Sequence, residues 1–507
     1  MNETPIIRTV RTAFWDYAAL LLGRGLAVGL MLLVVSLITR LLGREGFGHF
    51  SVYLLVGQLF FLASVNWTGA AVVRFGREEF LETGRLGRTF WARNLILLVS
   101  TSIAVVVIVL MRRTILDYIG VPGLSVGLLI LYLVVFTANN YAARLLQATE
   151  NLRFFAFANS ISHTVASAGL LVVLFLKPAH AMTAVILAYM LGKCASALYG
   201  FVRTGFKVAR PVGLDTTQLK RILTFSYPLI VGTLCAYVVG SIDIFVIKHY
   251  LPEAEVGLYA LAYQGLNVLQ EVPLAAMTLT LPLLLTFRTE NKDHLTRQYL
   301  DTVVPGAVFV WGLLLIPVVF LARPLIPLIF PSEFTGSVLS FRILCVALVF
   351  VALRSLYYAV YANYDMTRSL SLVSLILAVT NIVADVILVP RMRITGAAVG
   401  TCIAFALAAS LDIVLCQRRH QVRQPAQMLL VLPVLVYVII VTLTDSMLID
   451  ALAGVAVLTV SVIVARLIGL IDPSHLDLFA RMEMPNAVRS ALVWTYRMLA
   501  RKGEPQG

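Results

Sequence analysis

Four cationic side chains, Arg24, Lys193, Arg342 and Arg354, stand inside stretches of sequence that are otherwise apolar. A charge placed in hydrocarbon costs about 2.5–3.5 kcal/mol on insertion scales, so an ion kept there faces a cavity or a partner. Arg24 is surrounded by Gly23, Gly25 and Gly29, which thin the helix and leave room for a bulky group. A guanidinium binds phosphate through two parallel hydrogen bonds and stays protonated, which makes Arg24 the first candidate for holding an anion. Snorkelling to the interface or pairing with Asp16 is the competing use. Lys193, between Gly192 and Cys194, lies deep in its apolar run, where snorkelling is hardest. Arg342 and Arg354 share one run, and twelve residues at 100° each set them about 120° apart, so they cannot both face one cavity. Arg342 is the better placed of the two for anchoring at the outer interface. Few deep acids accompany these cations, an asymmetry that suits an anionic, phosphate-bearing cargo.

The deep carboxylates, Asp243, Glu271, Asp385 and Asp412, suit a different task. In a dry cavity a carboxylate can take up and release a proton, or hold Na+ together with backbone oxygens of a Pro-broken helix. Neutralising a neighbouring cation is the structural alternative. Glu271, beside Pro273, is the deepest in its run and the first candidate for ion coupling, with Asp243 and Asp385 behind it. Asn66, Asn139 and Asn267 can hydrogen-bond the hydroxyl groups of a cargo, or equally one another across helices. Asn267 and Glu271, four residues apart, fall on one helix face. The five cysteines form neither a disulfide framework nor a metal-ligand spacing, so coupling to H+ or Na+ is the only cofactor requirement expected, with no bound metal.

These residues must be positioned by membrane-spanning helices. Of 507 residues 60% are apolar and only 13% charged, against about 25% charged in ordinary soluble domains. The mean hydropathy is +0.91. Fourteen apolar runs of about 20 residues, the length that crosses a ~30 Å hydrocarbon core, can be drawn between residues 16 and 468. The fold class expected is an all-α polytopic membrane protein, which excludes a soluble enzyme. The net charge of +14 then reads as orientation and not as nucleic-acid binding. Lys and Arg number 27 in segments on the side of the N-terminus and 9 on the other, so both termini are predicted to be cytoplasmic. The longest outer loop has about 15 residues around Arg323 to Gly336, and no aspartate-rich motif marks the inner loops, so no enzymatic activity is expected. The segment 471–507 is basic and has apolar residues at helical spacing, the pattern of a cytoplasmic helix lying on anionic lipid.

Leu42-Gly43-Arg44-Glu45-Gly46-Phe47-Gly48-His49-Phe50 recurs, shifted by 209 positions, as Leu251-Pro252-Glu253-Ala254-Glu255-Val256-Gly257-Leu258-Tyr259. Both copies are outer turns leading into the next span, so the repeat is parallel. This divides the chain into 1–205 with six spans, 206–420 with six, 421–470 with two more, and the tail 471–507. The string Ile38 to Gly48 resembles the first outer turn of the polysaccharide biosynthesis (O-antigen or oligosaccharide) flippase family. So do Asp243-Ile244-Phe245-Val246-Ile247 followed by Gly257-Leu258-Tyr259, and Pro390 with Gly396-Ala397-Ala398-Val399-Gly400. The resemblance covers the first twelve spans and implies the multidrug/oligosaccharidyl-lipid/polysaccharide exporter superfamily. It further implies two bundles that rock between inward-open and outward-open states in the bacterial inner membrane. The implied cargo is an undecaprenyl-diphosphate-linked glycan, served together with other polysaccharide assembly proteins. A drug or metabolite antiporter of the same fold is the alternative; an acid-dominated lumen would mark a cation exporter. Orientation is the most direct expectation to check. An alkaline phosphatase fused at the C-terminus is expected to be inactive and a green fluorescent protein there to fluoresce; an active phosphatase overturns the assignment.

Overall fold

The computed structural model describes residues 5–149, 152–205, 213, 215–364, 366–420, 425–468 and 470. The side chains of residues 1–24, and so that of Arg24, lie outside the described residues, as does the whole of the basic tail 471–507. Two compact units divide the chain between Ser241 and Ile242. The first holds α1 (Pro5–Ser64), α2 (Gly69–Thr83), α3 (Gly87–Leu110), α4 (Arg112–Ile119), α5 (Val126–Ala148), α6 (Leu152–Leu176), α7 (Ala181–Thr204) and the start of α8 (Thr216–Tyr250). The second holds the rest of α8 and α9 (Glu253–Leu269), α10 (Glu271–Thr289), α11 (Asp293–Gln298), α12 (Val304–Ile329) and α13 (Ser337–Asn363). It closes with α14 (Thr367–His420), α15 (Leu432–Leu443) and α16 (Met447–Leu467).

Two of these helices are too long for one crossing. The apolar part of α1, Gly25–Ser64, spans about 60 Å at 1.5 Å per residue, twice the hydrocarbon thickness. It breaks at Gly43, whose φ of 66° a side chain would resist. In α14 the break is at Arg393, φ 55°. There the two arms fold back on each other: Gly400 lies against Ala384 and Asp385, which a straight helix would hold about 22 Å away. Arg393 donates to Glu255 of α9 at 2.8 Å, which ties the turn down. Among the described residues ten helices are long and apolar enough to cross a membrane; α1 and α14, each broken in its middle, supply two crossings apiece, and counting the long α8 and the shorter apolar α15 as well brings the total to the fourteen expected.

In the first unit small residues set the helix contacts. Gly192 of α7 lies on the backbone of Ser162 and on Ala166 of α6, and Gly169 of α6 on Ala188 of α7. The Tyr53 hydroxyl, in the second arm of α1, donates to the Leu128 carbonyl of α5 at 2.8 Å. The division at Ser241 falls inside α8, not in the preceding loop. The start of α8 buries Ile222 with Trp67, Ala71, Phe75, Ala92 and Ile96, and Tyr237 donates to the Leu55 carbonyl at 2.6 Å. In the second unit α13 is apolar on every face and is the central helix, 83% of its apolar window buried, whereas α16 buries 11% and faces outward. Leu110, Phe175 and Leu443, each about four-fifths exposed, mark surface meant for lipid. A Cβ at Gly192 has no room, so Gly192→Leu is expected to cost about 1–3 kcal/mol and lower the unfolding midpoint in detergent. Gly29→Leu, where a Cβ meets nothing, is expected to leave the midpoint unchanged.

Candidate functional site

Each unit brings together its own set of buried polar groups. In the first, Arg93 of α3 is completely buried. Its Nε donates to Thr68 at 3.1 Å and its Nη2 to Asn140 at 3.4 Å, and its guanidinium lies 4.5 Å from the Tyr141 ring centre. Nη1 is buried with no acceptor among the described residues. Arg144 of α5 donates to Gln147 at 3.0 Å, keeps a buried Nε without an acceptor, and lies close enough to Arg93 for their charges to repel. Lys193 of α7 sits between aromatic faces, its Nζ 5.8 Å from the Phe136 ring and 5.7 Å from that of Tyr189. Such faces partly replace lost hydration. Among the described residues none of these three cations has a carboxylate in ion-pair range. Asn66 accepts from Asn140 at 3.4 Å, and Asn139 is half-buried on the same helix.

Arg93 and Arg144 are absent from the sequence-derived candidates because each lies at the end of an apolar run, where hydropathy cannot separate a loop charge from a buried one. The signal that could have found them is the polar string Asn139-Asn140-Tyr141 one turn before Arg144.

The second unit gathers carboxylates. Asp243 of α8 and Asp385 of α14 are 1% and 0% exposed. Asp243 accepts from Asn381 at 3.0 Å, from Thr401 at 2.7 Å and from the Tyr259 hydroxyl. Asn381 also donates to Asp385 at 3.4 Å, and Oδ1 of Asp385 is buried with no donor among the described residues. The hairpin in α14 creates this cluster by bringing Thr401 of its second arm level with Asp385 of its first. All donors are oxygen or amide groups, and no cluster of three or more His, Cys, Asp and Glu occurs among the described residues. Such a site suits a proton or an alkali cation and not a transition metal.

Two of the sequence-derived cations have local acid partners. Arg354 donates to Asp412 at 2.9 Å. Arg342 lies 3.9 Å from Asp450 and donates to the carbonyls of Val319 at 3.3 Å and Val441 at 3.0 Å, so it docks α15 and α16 onto α12 and α13. Asn267 accepts from Gln270 at 2.9 Å. Glu271 is exposed in the first turn of α10, where the positive helix end favours an acid. An apolar groove of about 740 Å³ runs between α12, α15 and α16, with Phe309, Val436, Ala456 and Val464 in its walls.

The sequence pattern of the family described as polysaccharide biosynthesis protein matches residues 15–287, more than half of the chain. The chain belongs to this family. Its fold is similar to that of a solved lipid II flippase, MurJ, in an inward closed conformation. The TM-score is 0.67 at 15% identity, over 88% of this chain and 97% of that one. It is also similar to a multidrug resistance MATE family transporter of the MOP superfamily in an inward-facing conformation, with TM-score 0.60 and 15% identity over 79% and 94% of the two chains. The outward-facing conformation of such a transporter matches with TM-score 0.53 and 17% identity over 80% and 96%. Among curated proteins no relative matches.

The Arg354–Asp412 pair separates an architectural role from a binding role. Arg354→Met leaves a buried carboxylate unpaired and is expected to cost about 3–5 kcal/mol of stability. Arg354→Met with Asp412→Leu is expected to recover most of the loss in a thermal unfolding assay.

Proposed function

We propose that this family member translocates a polyprenyl-diphosphate-linked oligosaccharide across the bacterial inner membrane by alternating access, for assembly of a cell-surface polysaccharide. The observation that carries the reading is the segregation of buried charge. Among the described residues the first unit holds Arg93, Arg144 and Lys193 without carboxylate partners, and the second holds Asp243 and Asp385 without cationic ones. A buried cationic set lacking counter-ions is stabilised when a diphosphate arrives. A carboxylate pair lacking cations is stabilised by a proton or Na+. One membrane protein that carries both sets is equipped to couple the downhill entry of a cation to the movement of an anionic head group. Asp243, Asp385, Asn381 and Thr401 would hold the cation, and the carboxylates would supply its charge balance. Arg24, on the path of α1, is the expected further phosphate contact. The groove beside α15 and α16 suits the polyprenyl chain, since its walls are almost wholly apolar. The likeness in fold to a flippase supports the same reading.

In a producing strain, deletion is expected to leave lipid-linked oligosaccharide on the cytoplasmic leaflet. Lys193→Gln, expressed at normal levels, should lower export at least about tenfold. Asp385→Asn should make the remaining flux insensitive to collapse of the proton or Na+ gradient. Normal leaflet distribution in the deletion strain, with altered drug susceptibility, overturns the reading in favour of an antiporter.

A further inference from the structure

A second kind of cationic site lies at the end of the second unit, away from the buried carboxylates. Three turns distant in sequence meet there: the one between α10 and α11, the one entering α14, and the end of α14. They enclose a cavity of about 670 Å³. Among the described residues four arginines line it, Arg288, Arg368, Arg418 and Arg419, against one carboxylate, Asp293. Part of the wall is fixed. Asp293 accepts from the Tyr364 hydroxyl at 2.9 Å, Tyr364 also bonds Thr296 at 2.7 Å, and Arg288 donates to the Asn363 carbonyl. Arg368, Arg418 and Arg419 differ: all three are exposed, and among the described residues they have no hydrogen-bond or ion-pair partner. Ser369, also in the lining, belongs to the first turn of α14, whose unpaired N–H groups add positive potential.

Three guanidiniums with no partner among the described residues around one concavity repel one another, a cost that an anion filling the space removes. Arginine supplies forked donors that match phosphate oxygens, where lysine would supply a point charge. Among the described lining residues, four arginines against one aspartate leave an excess of three positive charges, more than one phosphodiester needs. The three turns lie on the arginine-rich side of the chain, which the charge asymmetry assigns to the cytoplasm. The lining also contains Leu415 and Met366, so the cavity is polar with an apolar part, as a site for the junction of head group and acyl chain requires. We propose that this pocket binds the phosphate head group of an anionic glycerophospholipid from the cytoplasmic leaflet, a two-phosphate head group most tightly. The site is separate from the groups assigned to cargo and coupling cation, and the proposal does not rest on the flippase reading.

The test uses the full-length protein in detergent. It is titrated with cardiolipin, phosphatidylglycerol and phosphatidylcholine and read by native mass spectrometry. Cardiolipin is expected to bind at least tenfold more tightly than phosphatidylcholine, with phosphatidylglycerol between them. Arg368→Gln with Arg418→Gln should weaken cardiolipin at least tenfold while leaving the unfolding midpoint in lipid-free detergent unchanged. The single variant Arg419→Gln should weaken it by a smaller factor. Inorganic phosphate and pyrophosphate form the second arm, and each should displace cardiolipin only at millimolar concentrations. Equal affinity for cardiolipin and phosphatidylcholine, or wild-type affinity in the double variant, overturns the proposal. Micromolar pyrophosphate binding that cardiolipin does not displace overturns the lipid and assigns the pocket to a soluble phosphate.

Discussion

A charged group in hydrocarbon must be balanced within a few ångströms, because no water is there to solvate it. Buried ions in this chain meet that requirement in three ways. Arg354 and Arg342 take carboxylate partners, Asp412 and Asp450, and become part of the framework. Arg93 and Lys193 are held by hydroxyl, amide and aromatic groups that soften the cost without cancelling the charge. Asp243 and Asp385 are held by Asn381, Thr401 and Tyr259, which leave the negative charge of the pair uncompensated. The first way gives stability. The other two store an unmet demand for an ion of opposite sign, and a transport cycle can be run on such a demand.

The same constraint explains the helix breaks. A continuous crossing leaves only side chains to form a site, whereas a hairpin lets residues from two arms converge at one level. At Arg393 the backbone adopts a conformation unfavourable to a side chain, and the return arm carries Thr401 to Asp243. Arg342 serves the appended helices in a comparable manner. By donating to carbonyls of α12 and α15 it ties these helices together, and it fixes α15 and α16 where they form one wall of the apolar groove.

Much of the architecture was legible in the sequence because a bilayer imposes a length and a polarity on every span. The all-helical, many-spanned fold and the helix breaks at Gly43 and Arg393 follow from the apolar runs and the turns between them. Of the site, only part could be read. Asp243 and Asp385 stood out as acids in apolar surroundings, but their common neighbour Asn381 is 138 positions from Asp243, and no periodicity links them. Arg93 does not stand out, since the end of an apolar run looks the same whether the helix continues into solvent or turns its face inward.

The sequence by itself determined what each residue type costs in a membrane: that the chain is built of apolar helices long enough to cross one, and that ions left inside must do something. Only the tertiary structure decided what each ion does. Balancing a charge depends on distance, and the groups that pair Arg354 with Asp412, leave Arg93 with an unmet N–H, and gather four arginines into one pocket come from separate spans and turns. Composition records the charges, and folding selects their partners.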